Sequence, residues 1–132
     1  RGGEYASDPN LFLTADYWYE AIKLMQEKGV KDFQVHTDDP TLAKQFFPDF
    51  EVVENTQLSH SHHSNMGFNW RSMRYAKYAI IANSAFYIMP RNLAHHTNPK
   101  AATIAPRYWA RRSSHDKVWA RPACYYPSFL YI

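Results

Sequence analysis

Tyr78-Ala79-Ile80-Ile81-Ala82-Asn83-Ser84 is the stretch on which the fold turns. Five apolar residues in a row lack the alternation of a half-exposed strand and suit a strand buried on both faces of a parallel sheet. Asn83 and Ser84 follow at once, and Ala85 to His96 then shows helical spacing, with Pro90 inside it predicting a kink or a restart. A second buried strand, Ala101 to Ala105, is closed by Pro106. Strand, helix, strand within 28 residues is the signature of a parallel crossover.

The same rhythm extends toward the N-terminus. Residues 1–14 are polar and turn-rich and read as a loop. From Ala15 to Lys28, Tyr17, Trp18, Ala21, Ile22 and Met25 recur at three- and four-residue steps, an amphipathic helix with Thr14 or Asp16 to start it and Gly29 to end it. Asp32 to Thr37 predicts a short strand. Asp38-Asp39-Pro40 breaks it and opens a helix over Thr41–Phe47. Glu51 to Glu54 predicts another strand, residues 55–67 a His-rich loop, and Asn69 to Lys77 a helix. Residues 107–132 are aromatic and irregular and read as a tail packed on the domain. Helix and strand alternate throughout, which predicts an α/β domain: a Rossmann-like, doubly wound parallel sheet flanked by helices.

Composition narrows the classes. The chain of 132 residues is long enough for one domain with its own core and too short for two ordinary ones. Hydrophobic residues at 45% and charged residues at 20% exclude a disordered chain. The net charge of +3 suits a phosphate-bearing ligand and falls short of a nucleic-acid surface; Arg107, Arg111 and Arg112 make only a small basic cluster. Aromatics reach 17% and can serve a core, a sugar-stacking face or a partner interface. The single cysteine, Cys124, excludes an internal disulfide framework. No apolar run approaches the roughly 20 residues of a membrane span.

In a parallel sheet, ligands sit beyond the carboxyl ends of the strands. Asn83-Ser84 lies at one such end, where free N–H groups and the helix dipole form an anion site to which Ser84 adds a hydroxyl. The competing reading is that Ser84 only caps the helix. Thr37-Asp38-Asp39 lies at another end. Its carboxylates orient a ligand hydroxyl, or else cap the helix at Pro40. Arg1-Gly2-Gly3 combines a guanidinium fork, which suits a diphosphate, with glycines that let backbone approach closely. His60, His62 and His63 do not follow a metal-ligand spacing and read as loop residues; His95-His96 decorates a helix end.

In order and spacing these segments resemble the α-1,2-fucosyltransferases of glycosyltransferase family 11. Ile80-Ile81-Ala82-Asn83-Ser84-Ala85-Phe86 is similar to that family's I-I-A-N-S-T-F, and Ala105-Pro106-Arg107-Tyr108-Trp109 to its A-P-x-x-W. Thr37-Asp38-Asp39 resembles its S-D-D, Tyr17-Trp18-Tyr19 its Y-Y-x-x-A-I, and Arg1-Gly2-Gly3-Glu4-Tyr5 the end of its H-x-R-R-G-D-Y. The chain departs from the family at Gly2, Glu4, Ala85, Tyr87-Ile88 and Asn69, the last standing where the family often has an acidic residue.

The resemblance covers most of residues 1–109. It implies the C-terminal, donor-binding domain of a GT-B glycosyltransferase, with residues 1–132 as that single domain and an acceptor domain upstream. It implies transfer of L-fucose from GDP-L-fucose to a galactoside hydroxyl with inversion, without a metal or other cofactor; the departures at Gly2 and Asn69 leave open a transferase using another nucleotide sugar, and a diverged, non-catalytic domain that binds glycans or proteins is the further alternative. Arg1 would contact the diphosphate and act in catalysis. Ser84, Asn83, Ala85 and Phe86 would hold or underlie the phosphates, and Asp38, Asp39 and Asn69 would order the nucleotide sugar. Partners would be that donor and a glycan acceptor, with no nucleic acid, and the full-length enzyme could associate peripherally with a membrane. The lack of a disulfide framework favours the cytoplasm; a eukaryotic member would work in the Golgi lumen.

Overall fold

A computed structural model describes residues 3–53, 62–111, 119–122 and 125–132. The chain is mixed α/β, with short parallel sheets flanked by helices. Its helices are α1 (Gly3–Ala6), α2 (Ala15–Glu27), α3 (Pro40–Phe46), α4 (His62–Tyr75) and α5 (Ala85–Thr97). Its strands are β1 (Gln34–Val35), β2 (Glu51–Val52), β3 (Tyr78–Ile80), β4 (Ala102–Ala105), β5 (Ala110–Arg111), β6 (Trp119–Ala120) and β7 (Phe129–Tyr131). Strand β4 is central between β3 and β7, all parallel; β1 and β2 form a separate parallel pair, and β5 and β6 an antiparallel one.

The buried strands behave as their apolar runs predict. Ile80 and Ile104 face α2 and meet Ala21 and Met25, which are fully buried. Ala79, Ile81 and Ala105 face the other way and pack with Tyr87 of α5 and Met73 of α4. Burying an isoleucine or methionine side chain here is worth about 1.5–3 kcal/mol. That gain, repeated on both faces, fixes the three-strand sheet between helical layers. Gly29, at φ 85°, ends α2 in the left-handed conformation that glycine adopts at no steric cost.

Five expectations are corrected, the first being the 1–14 loop, within which Gly3–Ala6 is helical. Helix α4 begins at His62 rather than Asn69, so much of the expected loop is helical. Its first turn holds no apolar residue before Met66, so helical periodicity has nothing to register there. Helix α5 runs through Pro90 as one element. Proline removes the bond to the Phe86 carbonyl, but Pro90 and Arg91 are fully buried, and that packing holds the turn. Residues 107–132 are not merely a tail. Phe129–Tyr131 adds a parallel strand beside β4, and three residues are too few for a periodic signal. Finally, the parallel strands make two sheets rather than one, since β1 and β3 do not pair.

Candidate functional site

The chain leaves β3 through Asn83, whose amide nitrogen donates to the carbonyls of Leu11 (2.6 Å) and Trp109 (2.7 Å). One buried side chain thus pins the 8–14 loop, the β3–α5 turn and the segment after β4 at one end of the sheet. The Asp8 carboxylate accepts from the Asn10 N–H at 2.8 Å and shapes the first of these. Between the 10–14 and 106–109 loops lies a hollow of about 140 Å³, with Arg107 exposed at its margin.

Ser84 comes next, only 5% exposed. Its N–H donates to the Ala82 carbonyl at 2.8 Å, and its own carbonyl accepts from Tyr87 at 3.2 Å. It stands at the N-cap of α5 with extended backbone, yet its hydroxyl makes no capping bond. Of the two readings of Ser84, the side-chain cap is therefore not realised. The N–H groups of Ala85 and Phe86 open the helix and have no intrahelical acceptor. They carry the positive end of a dipole along 13 residues. Ala85 is exposed; Phe86 is half-buried and meets the Tyr87 ring edge-on at 5.2 Å.

At the end of β1 the capping reading holds for Asp39. Its carboxylate accepts from the Leu42 N–H at 2.9 Å, and Pro40 takes the first helical position. The Asp39 N–H in turn donates to the Thr37 hydroxyl at 3.0 Å. Asp38 is exposed beside it. Asn69 of α4 reaches the same end, its Oδ1 3.0 Å from Nδ1 of His36. The structure therefore gathers Asp38, Asp39 and Asn69 at the end of β1, and Asn83, Ser84, Ala85 and Phe86 at the end of β3. Arg1, Cys124 and His60 lie outside the described residues. Among the described residues no three His, Cys, Asp or Glu side chains are grouped to hold a metal ion, and no helix is long and apolar enough to cross a membrane.

Sequence reasoning missed a buried polar network on α5. Arg91 is completely buried. Its Nε donates to the Thr103 hydroxyl at 2.9 Å, its Nη1 to the carbonyls of Met73 (2.6 Å) and Ala76 (2.7 Å), and its Nη2 to that of Ala102 (3.2 Å). It thereby satisfies the C-terminal carbonyls of α4 and bolts α4 to β4. Burial lowers its pKa to about 10. One turn later, His95 Nε2 lies 2.9 Å from the same Thr103 hydroxyl. Desolvation, then the charges of Arg91 and His96, lower the His95 pKa. The Arg91–His95 spacing of four, placing both on one helix face, was the available signal.

Comparison with known protein families, curated proteins and solved structures finds no match for this chain. What the structure defines is a mixed α/β unit with two clusters of polar groups at the ends of parallel strands.

Proposed function

We propose that the chain is the nucleotide-sugar-binding half of an inverting, fucosyltransferase-like glycosyltransferase with a Rossmann-like core. The observation that carries this reading is the start of α5. The hydroxyl of Ser84, a residue only 5% exposed, makes no capping bond, and it meets two N–H groups of a helix N-terminus at the exit of a buried parallel strand. Such a set holds phosphate oxygens. In a transferase it would stabilise the departing diphosphate as positive charge grows on the sugar; losing one well-placed donor of this kind typically costs about 10²–10³ in rate. Arg1 would add a guanidinium to the same diphosphate, and Asp38 and Asn69 would order the nucleoside. The acceptor would be a galactoside hydroxyl.

Asn69 favours a variant of this reading, a different nucleotide sugar. An amide already engaged with His36 replaces a carboxylate in the family's pattern, and the negative charge that would meet the base is gone.

Calorimetric titration of the chain, in the longest natural form that expresses, tests both readings. GDP-fucose should bind saturably in EDTA and more weakly to Ser84→Ala. Tighter binding of another nucleotide sugar selects the variant. Absence of binding by any nucleotide sugar overturns the proposal.

A further inference from the structure

A cavity of about 1010 Å³ separates the β1–β2 pair from the β3–β4–β7 sheet. Its walls are mainly apolar, with charged residues such as Asp32, Asp49 and Lys77 also among the lining. Trp18, Ile22 and Met25 of α2 line one side, Met73 of α4 and Phe47 of the α3 end the other. Its two ends are the edges of β1 and β3.

Those edges carry a specific chemistry. The Val35 carbonyl accepts from the Val53 N–H, so Val35 faces β2; Gln34 and His36 must then turn their backbone groups away from β2, toward the cavity. Likewise the Lys77 carbonyl accepts from Ala102 and the Ile81 N–H donates to Ile104, so Lys77, Ala79 and Ile81 face β4. Tyr78 and Ile80 therefore turn theirs toward the same cavity. Among the described residues none of these backbone groups has a partner strand. Interior backbone groups are nearly always paired. A small apolar ligand could fill the space but could not pair two rows of N–H and C=O groups. An extended polypeptide does both.

The path of the chain says which polypeptide. Helix α2 packs against Tyr78 and Ile80 of β3 and against Phe33 just before β1, so it straddles the cavity. It starts where β3 ends, since the Tyr17 hydroxyl donates to the Ile81 carbonyl at 2.6 Å, and it returns the chain to the start of β1. That is a crossover helix, and a crossover joins two parallel strands of one sheet. The segment feeding it, residues 8–14, lies at the carboxyl end of β3, held there by Asn83.

We propose that the cavity seats a further strand, parallel to β1 and β3, formed by the polypeptide immediately preceding Arg1. The sheet is then continuous in the order β2, β1, new strand, β3, β4, β7, which is the doubly wound order 3-2-1-4-5-6. The direction of winding reverses between the new strand and β3. Ser84 and the 8–14 loop both stand at that reversal. The inference rests on the cavity and its edges and not on the proposed activity.

The test compares residues 1–132 with the longer natural chain by amide hydrogen exchange. In the longer chain the amides of Gln34, His36, Tyr78 and Ile80 should exchange more slowly by about two orders of magnitude, while those of Ala79 and Ile104 change little. A photo-crosslinking residue in place of Gln34 in the longer chain should label residues just before position 1; this reading stands even where residues 1–132 do not fold alone. Equal exchange in both chains overturns the proposal. So do cross-links confined to residues 1–132, or to a second molecule.

Discussion

The Nε of Arg91 donates to the Thr103 hydroxyl at 2.9 Å, deep between α5 and β4, with no carboxylate among its bonded partners. The positive charge is held by carbonyl dipoles, three of them, at the end of α4 and the start of β4. Arg91→Met keeps much of the volume and strands these acceptors in the core. It should destabilise the fold by at least about 3 kcal/mol in chemical denaturation. Arg91→Lys should recover only part of this, because an ammonium cannot span the fork. A loss below about 1 kcal/mol in Arg91→Met would mean the network is dispensable.

His95 makes stability depend on pH in a definite direction. Nε2 of His95 shares the Thr103 hydroxyl with the Arg91 N–H, and burial beside the Arg91 charge favours its neutral ring. The folded pKa is lowered, so the unfolded chain binds the proton first. Stability from this residue is therefore complete above about pH 6.5 and falls as pH drops from there toward the folded value. Denaturation midpoints of the wild type and His95→Gln, measured from pH 8 to 5, should converge as pH falls (pH range set by the ordinary His value, roughly 6.5). Parallel curves would exclude this role.

Asn83→Ala should cost about 2–3 kcal/mol, since the Leu11 and Trp109 carbonyls lose their shared donor. Asn83→Asp should cost more, because it sets a carboxylate against two carbonyl oxygens. Thermal melts of the two variants rank them directly.

Asp39 and Ser84 should separate capping from ligand binding. Asp39→Ala removes a formed cap and should cost about 1 kcal/mol, with Asp39→Asn nearly neutral. Ser84→Ala removes a hydroxyl that caps nothing and should change stability by less than about 0.5 kcal/mol while weakening nucleotide-sugar binding. If Ser84→Ala destabilises as much as Asp39→Ala, the hydroxyl has a structural partner after all.

Legibility in the sequence followed the physics of each segment. Helix α2 and strands β3 and β4 were plain because their apolar residues carry a period or an unbroken run. Pro40 and Asp39 announced α3 through local chemistry alone. The start of α4 and the strand Phe129–Tyr131 were hidden, one in a polar first turn and the other in three residues whose only stabilisation is the sheet they join. Within the candidate site, strand ends could be located from breaks after apolar runs. The division of labour there could not. That Asn83 clamps loops while Ser84 makes no capping bond depends on Leu11 and Trp109, which are distant in sequence.

The Asn83 clamp also has a history in time. Its two bonds close loops of 72 and 26 residues, whereas α4 and α5 are separated only by β3 and pack by local closure. Closing the longer loop carries the greater entropic cost and is rewarded only once both strands and both loops are in place. The strand-end cluster is thus assembled late, after the α4–β3–α5 unit behind it. Removing the clamp should leave the refolding rate almost untouched and appear instead as faster unfolding. The surface assigned to ligand binding would be the last part of the molecule to take shape and the first to come apart.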